Sequence, residues 1–155
     1  MNVSSKPTVR IRTAHRDDLD ALVDLENRSF VTDRVSRAQY RRHLDGETAI
    51  VLACESQGRL VGSALVFLRK GSRRARLYSI AIDHHCRGMG VGGALFAAAE
   101  RAVLDRGRDR LYLEVREDNA VAIRLYESRG YIHVDTLPAF YEDGAAARRY
   151  EKALA

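Results

Sequence analysis

Strand-like and helix-like segments alternate along the 155 residues, and that order predicts an α/β domain built on a mixed sheet. Three observations carry the prediction. Arg110–Arg116 alternates cleanly, with Leu111, Leu113 and Val115 on one face and Tyr112, Glu114 and Arg116 on the other, as a half-buried strand requires. The apolar runs Thr48–Cys54 and Leu60–Leu68 flank Ser56-Gln57-Gly58-Arg59, a hairpin turn. Val91–Arg106 is a long, mostly apolar helical stretch entered through glycines, with Glu100, Arg101, Asp105 and Arg106 on its wet side.

The remaining elements follow in chain order. Thr8–Thr13 alternates Val9 and Ile11 with Arg10 and Arg12, a first strand. Asp17, Asp18 and Asp20 then favour the positive end of a helix carrying Leu19, Leu22 and Val23. Ser36 caps a second helix running to Leu44. Leu77–Ile82 is a buried strand, whereas the dense run Arg69–Arg76 reads as an exposed turn before it. Asp118-Asn119 opens a helix that ends at Gly130, a residue suited to the left-handed position after a helix. Tyr131–Val134 and Arg148–Lys152 close the sheet. The order is β-α-α-β-β-β-α-β-α-β-β: one domain over residues 1–155, with 1–7 expected to be flexible.

Composition narrows the function classes. The chain is 46% hydrophobic and 30% charged, with 11 Gly and 2 Pro, which excludes disordered and collagen-like classes. No apolar run approaches the ~20 residues of a membrane helix, and no secretory signal opens the chain, so a cytoplasmic protein without a membrane partner is expected. Cys54 and Cys86 are too few for a disulfide scaffold and match no zinc spacing, so both are expected as reduced thiols. His84-His85-Cys86 lies on a turn where adjacent side chains rarely converge on one ion, and no metal is expected. Net charge is +5, with only three Lys among 26 basic residues. The arginines are spread along the chain and lack aromatic interleaving, so nucleic acid is not the expected partner.

Arg87-Gly88-Met89-Gly90-Val91-Gly92-Gly93 carries the most chemical information. Glycines allow a tight turn and close backbone approach, so consecutive N–H groups can face one phosphate. The helix behind supplies roughly half a positive charge. No Lys stands nearby for a Walker loop, and a loop this late in the chain does not suit a dinucleotide fingerprint.

The segment Arg87–Gly92 resembles the Arg/Gln-x-x-Gly-x-Gly/Ala loop of the GNAT N-acetyltransferase superfamily, which grips the pyrophosphate of acetyl-coenzyme A (acetyl-CoA). Leu77-Tyr78-Ser79-Ile80-Ala81-Ile82-Asp83 stands where that family has its pantetheine-binding strand. Leu113-Glu114-Val115-Arg116, Asn119–Glu127 and Gly130-Tyr131 are most similar to the ribosomal-protein N-terminal-alanine acetyltransferases, the RimI type. The C-terminal segment departs from that type: Phe140-Tyr141-Glu142-Asp143-Gly144-Ala145 replaces two adjacent Tyr and an acidic pair after a longer insert.

The resemblance implies the GNAT fold, a mixed and mostly antiparallel central sheet of about seven strands flanked by about four helices. It implies acetyl-CoA as donor, held by Ile80, Ala81 and Ile82, by Arg87, Gly88, Met89, Gly90, Val91, Gly92 and Gly93, and by Asn119. Glu114 is implied as general base, Tyr126 as general acid and Tyr141 as an acceptor-side residue. A backbone N–H of Ile80–Ile82 is expected to meet the oxyanion. On the residues alone, Glu114 also reads as a surface partner of Arg116, and Tyr126 as core packing beside Ile123. Protonating a thiolate (near 8.5) from a phenol (near 10) is uphill by about 2 kcal/mol, so the site must lower the phenol's pKa or couple the transfer to C–S cleavage.

The expected acceptor is the N-terminal α-amine of a protein or peptide, acetylated directly rather than through a Cys86 relay. Alternatives are a small amine (antibiotic, polyamine or amino acid) or a protein lysine. Different classes again are a non-catalytic acyl-CoA sensor and a basic nucleic-acid module at Arg69–Arg76. A monomer or homodimer is expected.

Overall fold

The computed structural model describes residues 8–154; the expected flexibility of residues 1–7 lies outside them. One seven-stranded sheet runs through the structure in the order β1-β2-β3-β4-β5-β7-β6. Its strands are β1 (Val9–Thr13), β2 (Ala49–Ser56), β3 (Arg59–Leu68), β4 (Arg74–Ile82), β5 (Arg110–Arg116), β6 (Ile132–Leu137) and β7 (Ala147–Ala153). The helices are α1 (Leu19–Ser29), α2 (Arg37–Asp45), α3 (Val91–Asp105) and α4 (Ala120–Ser128). Every strand pairing is antiparallel except β4 with β5.

Local chemistry explains most boundaries. Gln57 and Gly58 turn with φ of 53° and 75°, the two successive positive values that match a tight hairpin to strand twist. Ser36 and Gln39 form a reciprocal capping box at the start of α2. Asn119 accepts the Ala122 N–H and caps α4.

Two apolar layers hold the sheet. On one face Val91, Leu95, Phe96, Ala99 and Val103 of α3 pack on Val66, Leu77, Leu111 and Leu113, with Ala122, Ile123 and Tyr126 of α4 at the margin. On the other face α1 and α2 pack Leu22 and Tyr40 against Val51, Ala53 and Leu65. Each fully buried large side chain contributes roughly 1.5–3 kcal/mol.

Two expectations need correction. Arg74-Ala75-Arg76 is strand, not turn: Ala75 is fully buried and pairs with Leu111, while the flanking arginines project to the other face. The final hairpin strand runs Ile132–Leu137 rather than from Tyr131. Tyr131 instead buries its ring beside Phe96 and donates its hydroxyl to Glu100 at 2.8 Å.

Candidate active site

The site exists because β4 and β5 part company. They pair only over Arg74–Arg76 with Arg110–Tyr112. Beyond that point β4 stays bonded to β3 as far as Ile82, and β5 to β7 as far as Arg116. A bulge sharpens the divergence: Val66 opposes Leu77 and Leu65 opposes Ser79, leaving Tyr78 as the extra residue. Bulges bend and twist the strand that carries them. The opened wedge is a cleft of about 590 Å³. Arg76–Ile80 and Glu114–Arg116 form its walls, Asn119 and Tyr126 line it from the N-cap and body of α4, and Phe140 and Tyr141 come from the β6–β7 connection. Glu26, Phe30, Thr32 and Asp33 complete the lining from α1 and the segment after it.

Five expected residues therefore meet around one cavity: Ile80, Glu114, Asn119, Tyr126 and Tyr141. The Glu114 carboxylate is only 4% exposed and lies between two arginines. Its Oε1 accepts from Nε of Arg76 at 2.7 Å and lies 2.6 Å from Nη2 of the same guanidinium. Its Oε2 accepts from Nε of Arg149 at 3.2 Å. The alternative pairing with Arg116 does not form, because Arg116 turns away to Asp143 and Asp118. Two donors fill Oε1, so the remaining basic lone pair is on Oε2.

Tyr126 packs its ring on Phe96 of α3, centroids 5.4 Å apart. Burial pushes its phenol above the ordinary value of 10. The phenol pKa is thus not lowered in this site, and a proton donor at this position would have to transfer its proton in concert with thiolate departure. Tyr141 lies under the Arg116 guanidinium, 5.1 Å from its ring centroid. Its phenol too is raised, first by burial and then by the Glu114 charge, which places that carboxylate in its surroundings.

The glycine loop is a separate station at the end of β4. Asp83 caps a short 3-10 turn, His84–Cys86, and is itself held by Arg28. Gly88 and Gly90 both adopt φ of 81°, and nothing lies within 4 Å of where a Cβ would project from either. Gly90 is the N-cap of α3, and the first intrahelical bond there is Ala94 N–H to Gly90 C=O at 3.0 Å. The N–H groups of Val91, Gly92 and Gly93 therefore have no helical acceptor. This open, donor-rich turn beside exposed Arg87 fits a diphosphate group. The side chains of Ala81 and Val91 are buried, so only their backbones are available; Met89 and Ile82 are half-buried. A Cβ on Gly92 would meet Ile82 at 3.0 Å, so that glycine also permits close packing of α3 on β4.

A profile of the Acetyltransferase (GNAT) family matches residues 19–131. The chain belongs to the GNAT acetyltransferase family. An N-alpha-acetyltransferase of Sulfurisphaera tokodaii is 29% identical over 149 residues, covering 89% of each chain. An uncharacterized N-acetyltransferase of Methanocaldococcus jannaschii is 32% identical, covering 88% of this chain and 86% of its own. The crystal structure of the ribosomal-protein-S18-alanine N-acetyltransferase from Escherichia coli superposes with a TM-score of 0.85 at 26% identity, over 96% of this chain and 95% of that one. GNAT acetyltransferases use acetyl-CoA and an amine acceptor, and the seven-stranded sheet with four helices is the GNAT fold.

Within this GNAT acetyltransferase, sequence reading does not single out Arg76 and Glu26, which line the cleft, or Arg149, which holds Glu114. Arg76 and Arg149 reach Glu114 from strands 38 and 35 residues away, which no local pattern announces. Glu26 was detectable in principle, since it falls on the apolar stripe of α1 with Leu22 and Leu25. It is buried, accepting from Tyr40 Oη and Val35 N, both at 2.9 Å.

Proposed function

We propose that this acetyltransferase moves the acetyl group of acetyl-CoA directly to the N-terminal α-amine of a protein or peptide. The observation carrying the reading is that Glu114 and Tyr126 face one cleft at the parting of β4 and β5. The names of the S. tokodaii and E. coli proteins, both acting on N-terminal amines, support the same acceptor class.

In this reading the N–H groups of Val91, Gly92 and Gly93, with the turn Gly88-Met89-Gly90 before them and the Arg87 guanidinium, hold the diphosphate of the coenzyme. The free edge of β4, including Ile80, and the side-chain amide of Asn119 hold its pantetheine arm. Asn119 Oδ1 is occupied by Ala122 N–H at 3.1 Å, leaving its NH₂ to donate. Bound acetyl-CoA supplies an activated acetyl thioester. Glu114 Oε2 takes a proton from the acceptor ammonium, directly or through one water, so that the neutral amine attacks the thioester carbon. A backbone N–H on the unpaired edge of β4 beyond Arg76 meets the oxyanion. As the C–S bond breaks, Tyr126 Oη gives its proton to the departing sulfur, the acylated nitrogen sheds its extra proton through solvent to the resulting phenolate, and the Tyr141 side lines the acceptor.

The energetics favour an α-amine. At pH 7 an amine near 7.8 loses its proton for roughly 1 kcal/mol, whereas a lysine near 10.4 needs roughly 4–5 kcal/mol.

The test is coenzyme-dependent thiol release with peptides of varied first residue, peptides blocked at the N-terminus with an internal lysine, and small amines. Peptides with a free N-terminus are expected to react fastest, with mass spectrometry placing acetyl on the α-nitrogen. Faster turnover of small amines or internal lysines than of every free N-terminus overturns the acceptor assignment.

A further inference from the structure

α1 and α2 pack on β2, β3 and β4, and the same face of β5 and β7 carries half-exposed charged side chains. Strand register puts Arg74 and Arg76 of β4, Arg110, Tyr112 and Glu114 of β5, and Arg149 and Glu151 of β7 on this one surface. Four guanidiniums face two carboxylates. Glu151 bonds Arg74 at 2.7 Å and lies 3.7 Å from Arg110. Glu114 is shared by Arg76 and Arg149. Tyr112 lies between Arg74 and Arg149, whose guanidinium carbons are 4.2 and 5.4 Å from its ring centroid. With each glutamate divided between two arginines, two positive charges are left over, and Arg74 and Arg110 are 45% and 52% exposed. Their unused N–H forks suit carboxylates geometrically.

We infer that this arginine face is an acceptor-docking surface for acidic residues that follow the N-terminus of the substrate polypeptide. The inference rests on the acceptor class given under Proposed function. The cleft and the face are continuous, because Arg76 and Glu114 belong to both. From Glu114 to Arg110 along β5, level with Arg74 on β4, is four strand residues, roughly 13 Å. An extended acceptor with its amine beside Glu114 therefore runs toward Arg74 and Arg110, whose long side chains come within reach of the carboxylates of its early residues, up to the fourth. Interleaved Glu114 and Glu151 repel a continuous phosphate backbone but leave single forks open for individual carboxylates, which favours an acidic peptide over RNA.

The experiment measures kcat/KM for peptides sharing one first residue and carrying Glu, Gln or Lys at positions two to four. The Glu peptide is expected to exceed the Gln peptide by about tenfold, mainly through KM, with the Lys peptide slowest. That advantage is expected to shrink from about 0.1 to about 1 M salt, as the Debye length falls from roughly 10 to 3 Å. Arg74→Gln with Arg110→Gln is expected to bring the Glu/Gln ratio toward one, and Arg74→Lys with Arg110→Lys to keep most of it. Equal turnover of the three peptides, or a ratio untouched by the Gln double variant, overturns this inference alone. Turnover of small amines with no peptide accepted overturns the acceptor reading and this surface with it. An RNA duplex that binds more tightly than the Glu peptide and blocks its acetylation assigns the face to nucleic acid instead.

Discussion

Tyr126→Phe isolates one proton. The substitution removes the phenol oxygen but keeps the ring that packs on Phe96 at 5.4 Å, and burial alone accounts for the raised phenol. No protein hydrogen bond is lost with the hydroxyl among the described residues, so stability should change by less than about 1 kcal/mol. For a domain of this size that corresponds to a melting shift within about 3 °C. The catalytic effect should be far larger. A positioned general acid contributes roughly 10²–10⁴ in rate, or about 2.7–5.5 kcal/mol at 1.36 kcal/mol per tenfold. Thiol release should therefore lose that factor in kcat while KM for acetyl-CoA stays within about threefold. The pH profile provides a second readout. An acid must be protonated to act, so activity assigned to Tyr126 is lost as pH rises through a phenol pKa that burial places above 10. The wild-type profile should show no loss from this group below about pH 10. A Tyr126→Phe enzyme that keeps kcat within about threefold, with an unchanged melting temperature, refutes the proton-donor argument.

Glu114→Gln should reduce kcat by about 10²–10⁴ but, unlike Tyr126→Phe, should also lower the melting temperature, because Arg76 and Arg149 lose their shared counter-charge; calorimetry and thiol release on the same preparation separate the two effects. Gly90→Ala places a Cβ in open space but at φ 81°, so its cost is conformational, about 1–2 kcal/mol, and the stabilisation conferred by acetyl-CoA in a melting assay should shrink with it. Asp83 is held below its usual 3.8 mainly by the Arg28 hydrogen bond and then by His85 N–H. A depressed carboxyl stabilises the fold above the unfolded value, near 3.9, and that contribution disappears as pH falls through the lower folded value. Arg28→Gln should accordingly flatten the loss of melting temperature below about pH 4, and an unaltered acid slope would remove Arg28 as the cause.

Much of this architecture is legible in local pattern. The alternation of Arg110–Arg116 fixes both the strand and the opposite faces of Leu113 and Glu114. Ser36, Asn119 and the Gln57-Gly58 turn announce themselves because caps and positive φ angles demand particular residue types. The glycine loop is visible for the same reason. Arg74-Ala75-Arg76 misleads because charge density outweighs one small apolar residue, and only pairing with β5 reveals that Ala75 is interior.

The sequence by itself determined most of the elements and their order, since these depend on interactions over a few positions. The tertiary structure alone decided how Glu114 is dressed. Arg76, Arg149 and the carboxylate come from three different strands, and their meeting depends on sheet order and register. The cleft itself has the same origin: a bulge at Tyr78 and two strands committed to different partners pull β4 and β5 apart, an outcome of long-range hydrogen bonding that no local pattern encodes.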